Sequence, residues 1–396
     1  MGEKNRAEPA GNIENRLREF RIAKGLSQGA LAGQSGITRQ AVCAIEANQY
    51  LPTTAVALRL AGALNCRVED LFSLVSMGEV IDGELVTAAS IASPDLSHMR
   101  VKVAKIGERV VVRPVAGLGE ILNYTVPADG LVTASAALAG KGQKSGTRVK
   151  VRLMRDRQSI EQEISVAGCD PAIFLAGEYL RRRRATTSVV GWTMGSAAAV
   201  EALKRGEVHV AGLHMVDAKS GESNLPYLRT HLSGGAYTVV TFATWQEGLV
   251  VAPGNPKGIR TIDDLVRKDV TLINRESGAG ARALLDAKLS AAGMKPAQVK
   301  GYDRIAHSHF EVARLVVEGQ TDAGISVWSA ARLMGLDFVP LQEERYDLVI
   351  PTPYLTNHPA LSNFLDTIVS RSFRTEIEAL GGYDTRDTGK IHSLRA

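Results

Sequence analysis

Hydrophobic positions divide the chain into regions with different periods. In residues 12–75 apolar side chains recur every three or four positions over short runs, which is typical of small amphipathic helices. In residues 100–166 β-branched residues alternate or cluster between glycines, which predicts strands. From residue 167 onward, apolar strands alternate with amphipathic helices. This alternation predicts βαβ units and a mostly parallel sheet.

The third region can be divided into individual elements. The predicted strands are 187–191, 209–212, 270–273 and 323–327, and the predicted helices are 196–204, 281–291 and 308–318. Residues 79–100 contain glycine, serine and proline without a clear period, which is typical of a linker. We therefore predict a helical domain at 12–75, a linker and β-rich module at 76–165, and an α/β domain at 166–396.

The composition is that of an ordinary globular protein. Of 396 residues 45% are hydrophobic and 22% are charged, and no run of about twenty apolar residues would span a membrane. Residues 1–11 are polar and lack the apolar core of a secretory signal, so we expect a cytoplasmic protein. The three cysteines, Cys43, Cys66 and Cys169, show no CxxC spacing, which favours a reducing compartment without disulfides or a zinc ribbon.

The net charge of +5 is unevenly distributed. Residues 100–157 hold 12 basic and 4 acidic side chains, whereas the rest of the chain is nearly balanced. Such a surplus attracts DNA phosphates or an anionic ligand, but a solvated strand surface rich in lysine and arginine has the same composition.

The N-terminal helices carry helix-turn-helix signals. Ser27 is placed to cap a second helix from Gln28, and Thr38 to cap a third from Arg39, with a tight turn at Gly36-Ile37 between them. Two short helices joined by such a turn place a recognition helix in the major groove. Arginine and glutamine side chains form bidentate hydrogen bonds with guanine and adenine edges.

This segment closely resembles the phage-repressor (Xre-type) helix-turn-helix family. The resemblance covers about residues 12–75, through Gly-Leu-Ser-Gln, Gly-Ile-Thr-Arg-Gln and Val-Glu-Asp-Leu-Phe. It implies that Gln28, Arg39, Gln40 and Ala44 face DNA, while Gln28 and Thr38 at helix N-termini suit phosphates. Family members usually dimerise on inverted repeats, which implies a homodimer bound to double-stranded operator DNA.

From Val166 to the C-terminus the chain resembles the type II periplasmic-binding-protein fold, in its molybdate-binding-like form. Landmarks include Ala-Gly-Cys-Asp-Pro at 167–171, Asn-Arg-Glu-Ser-Gly-Ala-Gly-Ala-Arg at 274–282 and Gly-Gly-Tyr-Asp at 381–384. The resemblance implies a multidomain chain: an all-α helix-turn-helix, a small β-rich module, and a two-lobed α/β domain that closes on a ligand. Gly248–Gly254 is a reasonable hinge between the lobes.

The ligand that the resemblance implies is a small anion such as molybdate or tungstate, held at helix N-termini without a further cofactor. The predicted ligand-binding residues are Thr193, Ser196, Asn224, Trp245, Arg275, Ser277, Gly278, Ala279, Gly280, Arg282, Ser308 and Tyr346. In the family loop, serine and threonine stand where this chain has Ala279 and Ala281. Two hydroxyl donors are therefore missing, and a larger organic metabolite packed on aromatic rings competes with the oxyanion.

Other chemistry has little support in the sequence. His307 and His309 are spaced for one face of a strand, but they have no cysteine or carboxylate partner in the pattern, so we predict no metal site. Motifs for nucleophile, nucleotide or zinc catalysis are absent from the sequence. The favoured hypothesis is a ligand-responsive transcriptional regulator rather than an enzyme. A transport-type binding protein and an enzyme of cofactor or metal metabolism are the alternatives.

Overall fold

The computed structural model describes residues 13–74, 78–86, 96, 98–118, 126–137, 147–183 and 187–394. They form two compact units, Met1–Val80 and Ile81–Ala396. None of the helices within these ranges combines the length and hydropathy that a membrane span requires.

The first unit contains five short helices and a two-stranded sheet. Its elements are β1 (Ile13–Asn15), α1 (Leu17–Ala23), α2 (Gln28–Ser35), α3 (Arg39–Glu46), α4 (Thr54–Leu64), α5 (Val68–Leu71) and β2 (Phe72–Leu74). Ser27 and Thr38 cap α2 and α3 as predicted, accepting hydrogen bonds from backbone N–H groups three residues later. Gly36 makes the turn at a φ of 64°, in the left-handed region that glycine occupies without strain. Leu31, Ile45 and Leu60 are among the fully buried core residues.

The second unit begins with a closed β-barrel. Its strands are β3 (Val80–Leu85), β4 (Arg100–Ile106), β5 (Arg109–Pro114), β6 (Gly130–Ala137) and β7 (Thr147–Leu153), in the order β3-β5-β4-β6-β7. The interpretation of residues 79–100 as a linker is wrong for Val80–Leu85, because β3 pairs with β5 to help close the barrel. The alternation of apolar and polar residues in β3 spans only six residues and contains Gly83, so it did not predict a strand.

The rest of the second unit is a two-lobed α/β domain. Its strands are β8 (Ile164–Gly168), β9 (Val189–Thr193), β10 (Val210–Leu213), β11 (Tyr237–Val251), β12 (Leu272–Arg275), β13 (Ile305–Ala306), β14 (Ala323–Val327), β15 (Asp337–Pro351), β16 (Tyr383–Asp384) and β17 (Ile391–Ser393). Its helices are α6 (Arg157–Glu161), α7 (Ala172–Arg183), α8 (Ser196–Lys204), α9 (Leu225–His231), α10 (Gly280–Ala291), α11 (His309–Val317), α12 (Trp328–Leu333), α13 (Thr352–Asn357), α14 (Leu361–Val369) and α15 (Arg371–Leu380).

Each lobe has a parallel core, and two long antiparallel strands join the lobes. In lobe one β8 runs parallel to β9 and β10, and in lobe two β12 runs parallel to β13 and β14. The 15-residue strands β11 and β15 pair with each other and with both cores. The sheet is thus more mixed than predicted. Their register shifts between Glu247 and Gly248, where the predicted hinge begins; movement at that hinge stays a prediction.

Candidate functional site

The outward face of α3 carries polar side chains that suit DNA bases. Thr38, Arg39 and Gln40 are exposed, whereas Ala44 is half-buried. Cys43, one turn after Arg39, is also exposed on this helix. The structure therefore brings together Thr38, Arg39 and Gln40, with Ala44 at the edge of the same face.

Gln28 has a second role that the sequence did not indicate. Its Nε2 donates a hydrogen bond to Glu46 Oε2 at 2.9 Å, and the same carboxylate accepts two bonds from Arg21 at 2.6 and 3.0 Å. Burial alone would raise the pKa of Glu46. The hydrogen bonds from Arg21 and Gln28 lower it by a larger amount, so the net pKa lies below its usual value. The side chain of Gln28 thus ties α2 to α3, and its contact with DNA stays a prediction.

A second candidate site lies between the two lobes, where buried polar side chains meet. We call these residues the cleft cluster: Cys169, His214, Trp245, Glu247, Arg275, His309, Glu344 and Tyr346. Cys169 and His214 follow the carboxyl ends of the neighbouring parallel strands β8 and β10. In open α/β sheets, ligands bind beyond these strand ends. Arg275 and His309 come from lobe two, so the cluster joins both lobes.

Several polar atoms of the cleft cluster have no hydrogen-bond partner. Among the described residues these include Nδ1 and Nε2 of His309, both carboxylate oxygens of Glu247, Nη1 of Arg275 and Nε1 of Trp245. His309 and Arg275 are each only 1% exposed, and Glu247 is fully buried. Buried polar groups are nearly always paired in folded proteins, because each unpaired one costs about 1–3 kcal/mol. Such a concentration indicates a site that binds something.

Two ion pairs organise the cluster. His214 Nδ1 lies 2.6 Å from Glu344 Oε2 and 3.6 Å from Glu247 Oε2. Arg275 is bound to the neighbouring Glu276 through Nε at 2.9 Å and Nη2 at 3.0 Å. The cations in the cluster are therefore already balanced by carboxylates.

Burial shifts the titration of these groups. Burial alone would lower the pKa of His214. Cys169, Glu247 and Glu344 together raise it by more than burial lowers it, so the net pKa lies well above its usual value. Burial and the charge of Glu344 raise the pKa of Glu247 well above its usual range. Burial, helped by the charge of Arg275, lowers the pKa of His309 well below its usual range, which keeps its ring neutral.

Helix N-termini from both lobes close over this cluster. The backbone N–H of Ala197, in the first turn of α8, donates to the carbonyl of Gly278 across the cleft at 3.1 Å. Gly280 opens α10 directly against His214, and a Cβ at that position would lie 2.2 Å from the His214 carbonyl oxygen. The N–H of Ala197 is one of the helix N-terminal donors that we expected to bind an anion. In the structure it makes a contact between the lobes instead.

The predicted ligand-binding residues fall into two groups. In or beside the cleft cluster lie Ser196, Trp245, Arg275, Gly278, Ala279, Gly280 and Tyr346. The other predicted residues are Thr193, Asn224, Ser277, Arg282 and Ser308, of which Asn224, Arg282 and Ser308 contact or adjoin members of the cluster or their chain neighbours. Thr193 and Ser277 are exposed. Ser308 caps α11 by accepting from the Glu311 N–H at 3.0 Å, and Arg282 stacks on Tyr302, 4.7 Å from the ring centre.

Two of these placements have clear structural reasons. The side-chain amide of Asn224 is used in structural hydrogen bonds, since it donates to Asp347 and to the Arg345 carbonyl at 2.8 Å each. Ser196 Oγ accepts a hydrogen bond from the backbone N–H of His214 at 3.1 Å and also lies 3.2 Å from its carbonyl oxygen. These side chains hold loops in place, and their contact with a ligand stays a prediction.

Sequence reasoning missed the titratable part of the cluster, namely Cys169, His214, Glu247, His309 and Glu344. His307 and His309 do not share a face, because His307 is exposed and His309 begins α11 as a buried residue, as the predicted helix 308–318 requires. The partners of His309 come from other strands. The available signal was that Cys169 and His214 each follow an apolar strand, where ligands of this fold collect.

Some of the excess basic side chains of the barrel pair with carboxylates in a second buried cluster, which we call the barrel joint. Lys102 Nζ lies 2.7 Å from Asp129 Oδ1 and 2.9 Å from Glu163 Oε2. Arg155 contacts the same two carboxylates. Nearby, Arg113 pairs with Glu207 of lobe one at 3.0 Å. These cations therefore join the barrel to lobe one instead of forming a patch for DNA.

A cavity of about 460 Å³ lies beside this joint, with Lys105, Glu161, His209 and His358 in its lining. His209 Nδ1 accepts from the Ser165 N–H at 3.0 Å, and its Nε2 lies 2.9 Å from the Lys105 carbonyl. Burial, with a contribution from His358, lowers the pKa of His209 from 6.5 to about 3. The ring is therefore neutral and bridges the barrel and lobe one.

Comparison with known proteins supports this two-part organisation. Residues 177–369 match the model of the PBP superfamily domain, and residues 17–71 match the helix-turn-helix model. The uncharacterized protein YvgK of Bacillus subtilis is 34% identical over 228 residues, covering 58% of this chain and 73% of YvgK. The uncharacterized HTH-type transcriptional regulator YgzD of Bacillus subtilis is 39% identical over 62 residues, covering 16% of this chain and 94% of YgzD.

Solved structures give a remote likeness. The tungstate ABC transporter structure from Geobacter sulfurreducens aligns with a TM-score of 0.41 at 12% identity, covering 55% of this chain and 98% of that chain. An ABC-type phosphate transport receptor from Vibrio cholerae aligns with a TM-score of 0.39 at 16% identity, covering 56% of this chain and 98% of that chain. Likeness at this level carries no argument about the ligand.

Proposed function

The chain belongs to the PBP superfamily and carries an N-terminal helix-turn-helix domain, and from this combination we propose that it is a transcriptional regulator whose DNA binding responds to a small effector. The observation that carries the proposal is the pairing of an exposed recognition face on α3 with a buried, unsatisfied cluster between two lobes. We propose that it acts in the cytoplasm, as a homodimer on an inverted repeat.

The effector binds in the cleft, between residues of both lobes. The sequence favours an oxyanion such as molybdate or tungstate, and the N-terminus of α10 supports that class. The buried carboxylates of Glu247 and Glu344 oppose it, because the cations beside them are already paired. Trp245 and Tyr346 offer ring surfaces to the alternative, an organic metabolite.

The coupling between effector and DNA requires two states of the regulator. An effector that contacts both lobes binds the closed form more tightly than the open form, and it therefore shifts the population toward closure. If closure changes operator affinity by some factor, the operator changes effector affinity by the same factor. Effector titration should then alter operator affinity, and an operator affinity that stays constant would refute the coupling.

The DNA-binding part is tested by selecting binding sites from a random duplex library with the full chain. We expect an inverted repeat whose half-sites lie about one helical turn apart. Arg39→Ala and Gln40→Ala should each weaken discrimination at one base pair by about 1–3 kcal/mol, measured by fluorescence anisotropy on the selected duplex.

Gln34→Ala is the matched control, because Gln34 is an exposed glutamine of α2 in the same domain. Its affinity should equal that of the unmodified chain. Selection that returns no preferred sequence, or equal losses for Gln34→Ala and Gln40→Ala, would contradict the proposal.

A further inference from the structure

Three soft or borderline donors from separate elements meet in the cleft cluster. Cys169 follows β8, His214 follows β10, and His309 begins α11 in the other lobe. All three are buried, and one donor atom from each lies within 4.8 Å of the others. A thiol and two imidazoles at this separation form a donor set for a transition metal, and the sequence alone did not bring them together.

We propose that Cys169, His214 and His309 bind one divalent transition-metal ion of the zinc class, and that this ion is the effector, or part of the effector, of the proposed regulator. A metal–sulfur bond of about 2.3 Å and metal–nitrogen bonds of about 2.0–2.1 Å require only small side-chain movements from the present separation. Coordination replaces the S–H bond of Cys169 with a sulfur–metal bond and the Nε2–H bond of protonated His214 with a nitrogen–metal bond, and both protons go to solvent.

The surroundings of His214 match those of a metal-ligating histidine. Its Nδ1 is held by Glu344 at 2.6 Å, which leaves Nε2 as the ligand nitrogen. A carboxylate behind a ligating imidazole fixes its tautomer and orientation in many metal sites. Glu344 is therefore a positioning residue in this proposal, and it does not contact the ion.

The unpaired atoms of the cleft favour a cation over an anion. In the part of the chain that the structure describes, neither ring nitrogen of His309 and neither carboxylate oxygen of Glu247 has a hydrogen-bond partner, although Glu247 Oε2 lies 3.6 Å from His214 Nδ1. The ring of a neutral histidine has only one N–H, so the other nitrogen offers a lone pair that needs a proton or a metal. Nη1 of Arg275 and Nε1 of Trp245 are unpaired donors, which suit a water molecule or small anion at the fourth metal position.

The donor set also predicts which ions bind. Thiolate and imidazole ligands select zinc-like ions over calcium or magnesium, which prefer oxygen. Because Cys169 and His214 belong to lobe one and His309 to lobe two, the ion would tie the lobes together in the closed form. This consequence rests on the proposed function, whereas metal binding itself does not.

The test uses the full chain, reduced and freed of metal by a chelator, and titrated with Co²⁺ as a spectroscopic probe. We expect one equivalent to bind, with a sulfur-to-cobalt charge-transfer band and the intense visible bands of tetrahedral cobalt. Zn²⁺ should displace the cobalt and remove both signals. Zn²⁺ should also raise the melting temperature, since it binds only the folded chain, whereas Mg²⁺ should not.

Matched variants locate the site. Cys169→Ser should abolish the charge-transfer band, whereas Cys43→Ser should keep it, because Cys43 is exposed on the other unit. His309→Ala should abolish tetrahedral binding, whereas His307→Ala, which changes an exposed histidine two residues away, should keep it. Glu344→Gln should keep the band but weaken affinity about 10–100-fold.

The outcomes separate this inference from the proposed function. Absence of a charge-transfer band in the unmodified folded chain, or a band that survives Cys169→Ser, would overturn the metal site. If molybdate or an organic acid raises the melting temperature while Zn²⁺ does not, the cleft binds a different effector and the regulator stands. If metal binds as expected but no operator is selected, the proposed function fails and the metal site stands.

Discussion

Two buried polar clusters lie in the second unit, and they differ in how many of their buried polar atoms lack a hydrogen-bond partner. In the barrel joint, Lys102 and Arg155 face the carboxylates of Asp129 and Glu163. In the cleft cluster, both ring nitrogens of His309 and both carboxylate oxygens of Glu247 lack a hydrogen-bond partner within the described ranges. Lys102, Asp129 and Glu163 of the barrel joint are as buried as the cleft cluster, so burial alone does not distinguish the two.

The difference indicates what each cluster does. A buried charge is costly unless it is paired, so a paired network fixes how two elements join. An unpaired buried group costs stability that the fold gains back only when something binds there. We therefore propose that the barrel joint stabilises the chain and that the cleft cluster binds an effector, so substitutions in the two clusters should behave differently.

The largest expected difference is in the free energy of unfolding. Lys102→Met leaves two buried carboxylates short of a counter-charge and should destabilise the chain by about 3–5 kcal/mol. His309→Leu removes an unpaired imidazole and should leave the metal-free chain within about 1 kcal/mol of the unmodified one. Urea unfolding of both variants measures the contrast.

Lys150→Met is the matched control for Lys102→Met, because Lys150 pairs with Asp82 on the surface at 3.1 Å. A surface pair contributes about 0–1 kcal/mol. If His309→Leu destabilises the metal-free chain as much as Lys102→Met does, the cleft cluster is structural and the comparison fails.

A smaller effect is expected from Gly280→Ala, which tests whether the lobes close directly on His214. The added Cβ would lie 2.2 Å from the His214 carbonyl oxygen, so one lobe must move. Overpacking of this kind costs about 1–3 kcal/mol. Small-angle scattering should show a larger radius of gyration, and Co²⁺ affinity should fall.

Gly62→Ala serves as its control, since a Cβ on that glycine of α4 meets no atom within 4 Å. It should leave both the scattering profile and cobalt affinity unchanged. An unchanged radius for Gly280→Ala would mean that the lobes tolerate the methyl group without opening.

The smallest effect concerns pH at the barrel joint. The pKa of His209 is lowered from 6.5 to about 3, so the unfolded chain binds the proton more readily. Its contribution to stability is complete above pH 6.5 and declines as pH falls toward 3. Between pH 6.5 and pH 5.5 the loss should be about 1 kcal/mol.

His209→Gln removes this titration while keeping a polar side chain between Ser165 and Lys105. Urea unfolding at pH 7 and pH 5.5 should show a smaller pH-dependent loss for the variant than for the unmodified chain. Equal losses would assign the pH dependence to other groups, of which His358 is in ring contact at 4.4 Å.

Local patterns predicted many elements correctly because their causes are local. The predicted helix 196–204 and strand 323–327 match α8 and β14, and the caps at Ser27 and Thr38 form as expected. Helix caps depend on residues three positions apart, and helical periodicity on residues within one turn. These signals lie within a few residues of one another.

The candidate site could be predicted only in part. Glycines at helix N-termini and Trp245 were recognised, because their motifs are continuous in the sequence. The cluster of Cys169, His214 and His309 was not, since its members come from two strand ends and a helix in different lobes. Likewise, the basic surplus of the barrel gave no sign that Lys102 and Arg113 would face lobe one.

By itself, the sequence determined the helix-turn-helix, the order of strands and helices, and the two-lobed class, since these follow from periodicity, capping and continuous motifs. Only the tertiary structure decided which titratable groups are paired and which are not. Pairing depends on the register of β11 and β15 and on how closely the lobes approach, and these are long-range properties. The chemistry of the cleft cluster therefore depends on contacts between residues that are distant along the chain.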